Sequence, residues 1–292
     1  MNQPAQKEDR TWRVIDIINW AKEYLKSKDF ENPRREIEWL LQDLLGCSRV
    51  DLYLRFEELL GRSELETLKI WVKRRIEREP LQYITGKTEF YGREFAVDKN
   101  VLIPRPETEQ LIETVLETIG KDGNPKILDI GTGSGCIGVT LAAEIPAAVV
   151  DATDVNDKIL SVAMKNTKSH GLENIRFLKS DFLNDEISHQ YDLAVCNPPY
   201  IPIGEMSGLA VEIRDYEPSI ALTDNQDGLL FYRRMTEKAQ QIVRKGGWII
   251  CEVGLGSHPG KAHRLFAMKG FESVELIKDL NGDDRVLKVR VN

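Results

Sequence analysis

The spacing of apolar residues divides the chain into a helical first part and an alternating second part. Apolar positions of the first helical segment recur three or four residues apart, at Val14, Ile17, Ile18, Ala21 and Leu25. Similar spacing continues along the chain and predicts a small all-helical domain over residues 1–86. Its tryptophans are expected to be core residues rather than platforms for a ligand.

Three boundaries of these helices are marked by capping residues. Asn32 followed by Pro33 predicts a helix start, and Gly46 predicts the end of that helix. Ser63 with Glu66 has the spacing of a capping box and predicts another start.

The pattern changes after residue 86. Residues 87–106 alternate aromatic and polar side chains around Gly92 and predict a β-hairpin connector, and Glu107–Ile119 predicts a helix. From residue 125, apolar strands alternate with amphipathic helices, which is typical of a doubly wound parallel α/β sheet. The predicted strands are Lys126–Ile130, Val149–Asp154, Ile175–Lys179, Asp192–Cys196, Trp248–Val253, Glu272–Ile277 and Arg285–Val291. The last two are joined by only seven residues, so the final strand is expected to run antiparallel.

Composition excludes several classes of protein. The 292 residues are 41% hydrophobic and 30% charged, without an apolar run near the roughly 18 residues of a membrane span. The polar first residues do not resemble a signal peptide. Four cysteines without a CxxC pair, and four scattered histidines, predict free thiols, a cytoplasmic location and no metal site.

The charge is uneven along the chain. Residues 1–95 carry 18 basic and 18 acidic side chains, which leaves 22 basic and 29 acidic ones in residues 96–292. Because nucleic-acid binding depends on basic surface, the acidic second part disfavours a nucleic-acid partner, although it leaves room for a local basic groove.

The tetrapeptide Asn197-Pro198-Pro199-Tyr200 follows a strand and carries the first indication of chemistry. Two prolines cannot continue a sheet ladder, so a stiff loop must begin here. The Asn197 side-chain oxygen and the Pro198 carbonyl can each accept one N–H of a planar NH2 group, and the Tyr200 ring can stack on its plane. A proline-rich loop that only ends a strand is the alternative interpretation.

A glycine-rich loop follows the first predicted strand of the sheet. Gly131, Thr132, Gly133, Ser134 and Gly135 precede a helix, where glycines let a ligand approach the backbone. The stretch also satisfies the GxGxxG pattern of dinucleotide-binding proteins, which is a competing interpretation.

The acidic side chains beside this loop favour a different ligand. Asp129 would repel a pyrophosphate but attract the ammonium of an amino acid, which favours S-adenosylmethionine. Asp154 ends the second strand and can accept hydrogen bonds from ribose hydroxyls. Asp181 can accept the exocyclic N–H of adenine, and Phe182 can pack on its ring. For Asp154 and Asp181, a role in a strand-end turn is the alternative.

These motifs together resemble the glutamine-N5 methyltransferase family that modifies peptide-chain release factors. The resemblance covers nearly the whole chain. It is carried by Glu79–Gly86 (EPLQYITG), Leu102–Glu109 (LIPRPETE), the DIGTGSG loop, NPPY and Tyr216–Pro218 (YEP). NPPY alone is shared with enzymes that methylate adenine in nucleic acids, whereas LIPRPETE with YEP is more specific to the release-factor family.

The resemblance implies a Rossmann-like seven-stranded methyltransferase domain over residues 107–292 and a substrate-recognition role for residues 1–86. It implies methyl transfer from S-adenosylmethionine to a glutamine of release factors, in their GGQ motif. Cofactor contacts are implied for Gly131–Gly135, Asp154, Phe182 and Asn197, and substrate contacts for Asn197–Tyr200. Arg105 and Glu107 have either a structural role or a role in closing over the cofactor. An adenine amino-methyltransferase and an NAD-dependent protein remain the rival functions.

Overall fold

The computed structural model describes residues 11–187, 189–271 and 273–292, which form two compact units. The first unit ends at Thr85, and the second spans Gly86–Asn292. The polar first ten residues, from which the absence of a signal peptide was predicted, lie outside the described residues. So does Glu272, the first residue of one predicted strand.

The first unit is helical in its described part, as the sequence predicts. Its helices are α1 (Val14–Lys26), α2 (Pro33–Leu45), α3 (Arg49–Leu54), α4 (Arg62–Ile76) and α5 (Leu81–Thr85). The predicted boundaries of α2 are confirmed: Asn32 is the N-cap, and Gly46 adopts a left-handed conformation with φ of 58°.

Two expectations for this unit are wrong. Helix α4 begins at Arg62, and its cap is made by Glu64, whose carboxylate accepts the Gly61 N–H at 2.6 Å; Ser63 and Glu66 lie inside the helix. Trp20 is 46% exposed and stacks on Tyr24 instead of joining the core. On this helix, the aliphatic residues fill the buried side and leave the ring at its edge.

The second unit starts with a hairpin and continues as an α/β domain. The hairpin strands are β1 (Lys87–Phe90) and β2 (Arg93–Ala96), which pair antiparallel. The remaining helices are α6 (Glu109–Ile119), α7 (Cys136–Glu144), α8 (Asp157–Ser169), α9 (Val211–Tyr216), α10 (Ser219–Leu222), α11 (Leu230–Ile242) and α12 (His258–Met268). The remaining strands are β3 (Lys126–Ile130), β4 (Val149–Asp154), β5 (Ile175–Lys179), β6 (Tyr191–Cys196), β7 (Val243–Glu252), β8 (Val274–Lys278) and β9 (Asp284–Arg290).

The seven strands β3–β9 form one sheet in the order β5-β4-β3-β6-β7-β9-β8. Strands β3 to β7 are parallel, and β9 is antiparallel to both of its neighbours. The predicted fold class, a doubly wound sheet with an antiparallel last strand, is therefore confirmed. The order reverses between β3 and β6, which is the place where such sheets bind ligands.

Two starts in this unit differ from the prediction by two residues or more for a structural reason, while β6, the end of β7, β8 and β9 are displaced by one or two residues. Glu107 lies in a 3-10 turn over Pro106–Thr108, and the α-helix begins only at Glu109. Strand β7 begins at Val243, five residues before the predicted Trp248, because its first residues pair irregularly with β6 around a shift in register. The irregular stretch, Arg244–Gly247, consists of basic residues and glycines, which do not fit the apolar pattern by which strands were predicted.

Successive residues of the central strands face opposite sides of the sheet. Ile127 packs into a core with α6 and α7, whereas Leu128 packs into a second core with α11 and α12. Among the described residues, no helix is long and apolar enough to cross a membrane. Cys136, Cys196 and Cys251 are buried free thiols.

A buried asparagine joins the hairpin to the glycine loop. Asn166 of α8 is 1% exposed, and its Oδ1 accepts the Ala96 N–H at 2.7 Å. Its Nδ2 donates to the carbonyls of Ala96 and Ser134, at 2.9 and 2.8 Å. One side chain therefore satisfies buried backbone groups of both segments.

We predict that Asn166→Ala lowers the free energy of unfolding by about 3 kcal/mol, because it leaves buried backbone groups without partners. Urea denaturation followed by circular dichroism measures the loss. The control Asn281→Ala, at an exposed position, changes stability by less than about 0.5 kcal/mol. A loss of the same small size for Asn166→Ala would contradict the role given to this side chain.

Candidate active site

A cavity of about 310 Å³ lies at the carboxyl ends of the parallel strands, beside the switch point between β3 and β6. Many residues that the sequence singles out line it: Gly131, Thr132, Gly133, Ser134, Asp154, Asp181, Phe182, Asn197, Pro198 and Pro199. Asp129, Gly135 and Tyr200 lie behind this lining. The fold thus collects residues from four separate loops around one space.

The glycine loop after β3 has a backbone that other residues adopt only with strain. Gly131, Gly133 and Gly135 have φ of 70°, 57° and 85°. At Gly135, a Cβ would also lie 3.1 Å from the Cβ of Ala163, so the loop packs tightly against α8. Its shape is held by Asp154, whose Oδ2 accepts the Gly133 N–H at 3.0 Å.

Asp129 stabilises the glycine loop through hydrogen bonds from buried groups. It is fully buried, and its Oδ2 accepts hydrogen bonds from Thr132 Oγ1 at 2.6 Å and from the Gly138 N–H at 3.0 Å. Its Oδ1 has no hydrogen-bond partner among the described residues. Burial raises the pKa of Asp129 to about 7. A cationic group bound nearby would stabilise the charged form.

The carboxylates after β4 and β5 both have roles in local turns. Asp154 Oδ1 accepts the Val155 N–H at 2.8 Å, and burial raises the pKa of this carboxyl. Asp181 accepts hydrogen bonds from the Leu183 N–H at 3.0 Å and from Asn184 Nδ2 at 2.7 Å. Both residues also line the cavity, so a turn role and a ligand role are compatible. Their contacts with ribose and adenine stay predictions.

Phe182 is only 4% exposed but lines the cavity beside Phe231, with ring centroids 6.1 Å apart and planes 18° from parallel. Lys238 is 1% exposed and supports this loop from behind. Its Nζ donates to the carbonyls of Phe182, at 3.1 Å, and of Asp185. An aromatic wall of the cavity is thus held in place by a buried ammonium group.

The NPPY loop emerges next to the glycine loop, because Cys196 at the end of β6 pairs with Ile130 at the end of β3. Asn197 points its Nδ2 at Thr108 Oγ1, 3.2 Å away. The Pro198 carbonyl accepts no hydrogen bond from the described residues. The two oxygens that the sequence assigns to an NH2 group therefore have no donor bound to them in the described part of the chain.

The Tyr200 side chain is held by a hydrogen bond that the sequence did not indicate. Its hydroxyl donates to Glu252 Oε1 at 3.1 Å, and burial raises its pKa well above the usual range. Behind its backbone, Gly228 lies so close that a Cβ there would collide with the Tyr200 carbonyl. The predicted stacking of this ring on a substrate amide stays a prediction.

The connector and the segment after NPPY are joined by an ion pair. Arg105 Nη2 contacts Glu217 Oε1, and Glu217 Oε2 accepts the Ile103 N–H at 3.3 Å. The Glu217 side chain is 1% exposed, whereas Arg105 also lines the cavity. The LIPRPETE and YEP motifs are therefore in direct contact, which gives Arg105 a structural role. Glu107 begins the 3-10 turn.

The sequence singled out no role for Thr108, Glu252 or Lys238, whose side chains form hydrogen bonds with the loops around the cavity. Glu252 could have been singled out from the sequence, because it is an acidic residue that ends a buried apolar strand. Asp154 ends its strand in the same way, and Asp129 is one residue from the end of β3. Lys238 carried no such signal, because its partners are distant in the chain. Thr108 lies inside the LIPRPETE motif, but the motif does not indicate its bond to Glu252.

Comparison with known proteins identifies the family. Residues 16–86 match the model of the PrmC N-terminal domain, and residues 107–212 match the methyltransferase small domain. A release factor glutamine methyltransferase of Geobacter sulfurreducens is 40% identical over 282 residues, covering 96% of this chain and 97% of the relative. A release factor glutamine methyltransferase of Bacillus subtilis is 39% identical over 282 residues, covering 94% of this chain and 96% of the relative. The chain belongs to the release factor glutamine methyltransferase family.

Solved structures with lower identity support the fold. A methyltransferase from Pyrococcus furiosus matches with a TM-score of 0.51 at 19% identity, covering 75% of this chain and 96% of that chain. A Thermus thermophilus 16S rRNA N2 G1207 methyltransferase, solved with AdoMet and guanosine, also gives 0.51 at 19% identity, covering 70% and 50%. Membership of the family confirms the prediction of an S-adenosylmethionine-dependent enzyme.

The residues around the cavity fit this cofactor. Asp154 is an acceptor on the cavity wall that matches the ribose, and the Phe182 face matches the adenine. Asp129 lies behind the glycine loop, where the ionised form of its buried carboxyl would attract the ammonium through the loop. The dinucleotide alternative fits less well, because the buried carboxylate would lie near a pyrophosphate. The individual contacts stay predictions.

We predict that affinity for S-adenosylmethionine strengthens about tenfold between pH 5.5 and 7, because Asp129 ionises over this range while an α-amino group remains protonated. The sign follows from the raised pKa: at pH 5.5 the carboxyl is neutral and attracts no ammonium. Isothermal titration calorimetry measures the dissociation constant.

Two variants make this test specific. Asp129→Asn is expected to bind more weakly at pH 7 and to lose most of the pH dependence. Asp157→Asn, which removes an exposed carboxylate of α8, should keep it. If the wild-type affinity were constant across this range, the proposed attraction would be wrong.

Proposed function

We propose that this protein transfers the methyl group of S-adenosylmethionine to the side-chain amide nitrogen of a glutamine in peptide-chain release factors, within their GGQ motif. The observation that carries the proposal is the arrangement of two adjacent strands: NPPY and the glycine loop leave β6 and β3 side by side. An NH2 acceptor at one loop therefore meets a methyl donor at the other. The near-full-length similarity to release factor glutamine methyltransferases supports the choice of substrate.

The chemistry requires activation of a poor nucleophile, because the lone pair of an amide nitrogen is delocalised into its carbonyl. The Asn197 Oδ1 and the Pro198 carbonyl would each accept one N–H of the substrate amide. These bonds increase charge on the nitrogen and fix its direction. S-adenosylmethionine supplies an electrophilic methyl whose leaving group needs no protonation. Alignment then supplies most of the rate, and the proton can leave afterwards without a strong base.

The helical unit is the candidate for recognition of the protein substrate. A glutamine on an exposed loop must be positioned by contacts beyond the cavity itself. Val50, Leu54 and Leu59 of this unit are apolar and 69%, 81% and 58% exposed, which suits a protein partner. A partner from the translation machinery and the buried free thiols support a cytoplasmic location.

The proposal is tested by incubating the full chain with labelled S-adenosylmethionine and a release factor, DNA or RNA in parallel. Label is expected in the release factor only, and mass spectrometry should locate it on the GGQ glutamine. A release factor with this glutamine changed to alanine is the control. Label in DNA or RNA and not in the release factor would favour the adenine amino-methyltransferase and overturn the proposal.

We predict that Asn197→Ala lowers kcat about 10²- to 10³-fold, by analogy with the loss of a preorganised hydrogen-bonding group. The dissociation constant of S-adenosylmethionine should change less than about threefold, since the main cofactor loops are untouched. Single-turnover methylation and calorimetry measure the two quantities. Asn281→Ala, at an exposed position between β8 and β9, serves as control. Near-normal turnover of Asn197→Ala would contradict the proposed hydrogen bond between Asn197 Oδ1 and the substrate amide.

A further inference from the structure

A chain of hydrogen bonds behind the cavity joins three loops. Asn197 Nδ2 donates to Thr108 Oγ1 at 3.2 Å, and Thr108 Oγ1 donates to Glu252 Oε2 at 2.6 Å. The other Glu252 oxygen accepts the Tyr200 hydroxyl at 3.1 Å. Glu252 therefore touches the NPPY loop on two sides, directly at Tyr200 and through Thr108 at Asn197.

The chemistry of these groups fixes the direction of each bond. Burial raises the pKa of Glu252, while the hydrogen bonds from Thr108 and Tyr200 favour its ionised form. An ionised carboxylate can only accept, so the single hydroxyl proton of Thr108 is used on Glu252. The Thr108 oxygen then has lone pairs left for a donor, and the group of Asn197 that can donate is its NH2. The Asn197 Oδ1 must consequently lie on the side away from Thr108.

Glu252 is buried, and its charge affects the hydrogen bonding of Thr108. Its side chain is 1% exposed, and both of its oxygens are bound by hydroxyl groups. Burying a carboxylate is costly, and an apolar side chain at the end of β7 would avoid that cost. What the carboxylate adds is polarity, because a hydroxyl that donates to a charged acceptor becomes a better acceptor itself.

We propose that Thr108 and Glu252 are positioning residues for methyl transfer, which hold the Asn197 amide with its oxygen toward the substrate. This inference rests on the proposed function and adds two residues to it. Neither needs to touch the reacting atoms. Loss of the carboxylate charge would let Thr108 donate to Asn197 instead, which would turn the amide and present its NH2 to an NH2 substrate.

Three substitutions separate this role from simple packing. Thr108→Val keeps the volume but removes the hydroxyl, and Glu252→Gln keeps the volume but removes the charge. Both are expected to lower kcat about 10- to 100-fold, with a change below about threefold in the dissociation constant of S-adenosylmethionine. Thr108→Ser restores the hydroxyl and should recover most of the lost rate. Thr114→Val, at a buried threonine whose hydroxyl bonds within α6, is the matched control.

A second measurement does not depend on activity. The side-chain NH2 resonance of Asn197, identified in a ¹⁵N-labelled spectrum by its loss in Asn197→Ala, should shift in Thr108→Val and in Glu252→Gln. It should stay in place in Thr114→Val. An unshifted resonance overturns the inference even if release factor is not the substrate.

The kinetic outcomes are equally decisive. If wild type methylates release factor and Thr108→Val is equally fast, the inference is wrong while the proposed function stands. If Thr108→Ser is as slow as Thr108→Val, the hydroxyl is not the feature that matters, and the inference again fails. Absence of methylation by wild type would count against the proposed function alone.

Discussion

The site depends on the parallel pairing of two strands that are far apart in the sequence. Because Ile130 of β3 pairs with Cys196 of β6, the loops that follow these strands must leave the sheet at the same edge and next to each other. The glycine loop and NPPY have no direct hydrogen bonds between them among the described residues. Their proximity is a property of the sheet, and it therefore persists whatever occupies the cavity.

Buried acids at the ends of strands give the loops their shape. Asp129, Asp154 and Glu252 each end or nearly end a buried strand, and burial raises the pKa of all three carboxyls. Each accepts hydrogen bonds from the loops around it: Asp129 and Asp154 from the glycine loop, Glu252 from the connector and NPPY. In this region, buried acids stabilise the loops by accepting hydrogen bonds from backbone N–H groups and from hydroxyl side chains.

The sequence predicted what depends on local pattern and missed what depends on contacts across the chain. Strands β3, β4 and β5 begin and end where predicted, because apolar runs there stop at polar residues. The cap of α4 and the start of β7 were missed, since backbone groups and an irregular register decide them. The bond between Thr108 and Glu252 could not be predicted, because it spans 144 positions.

The contact between Arg105 and Glu217 has a consequence for how this family can diverge. Glu217 is buried, so replacing its arginine partner alone would leave a buried carboxylate without a counter-charge. Replacing the glutamate alone would leave the Ile103 N–H without its acceptor. Either first step is penalised, and a combined change is far rarer than a single one. A change at Arg105 in LIPRPETE therefore requires a compensating change at Glu217 in YEP, although more than a hundred residues separate the two.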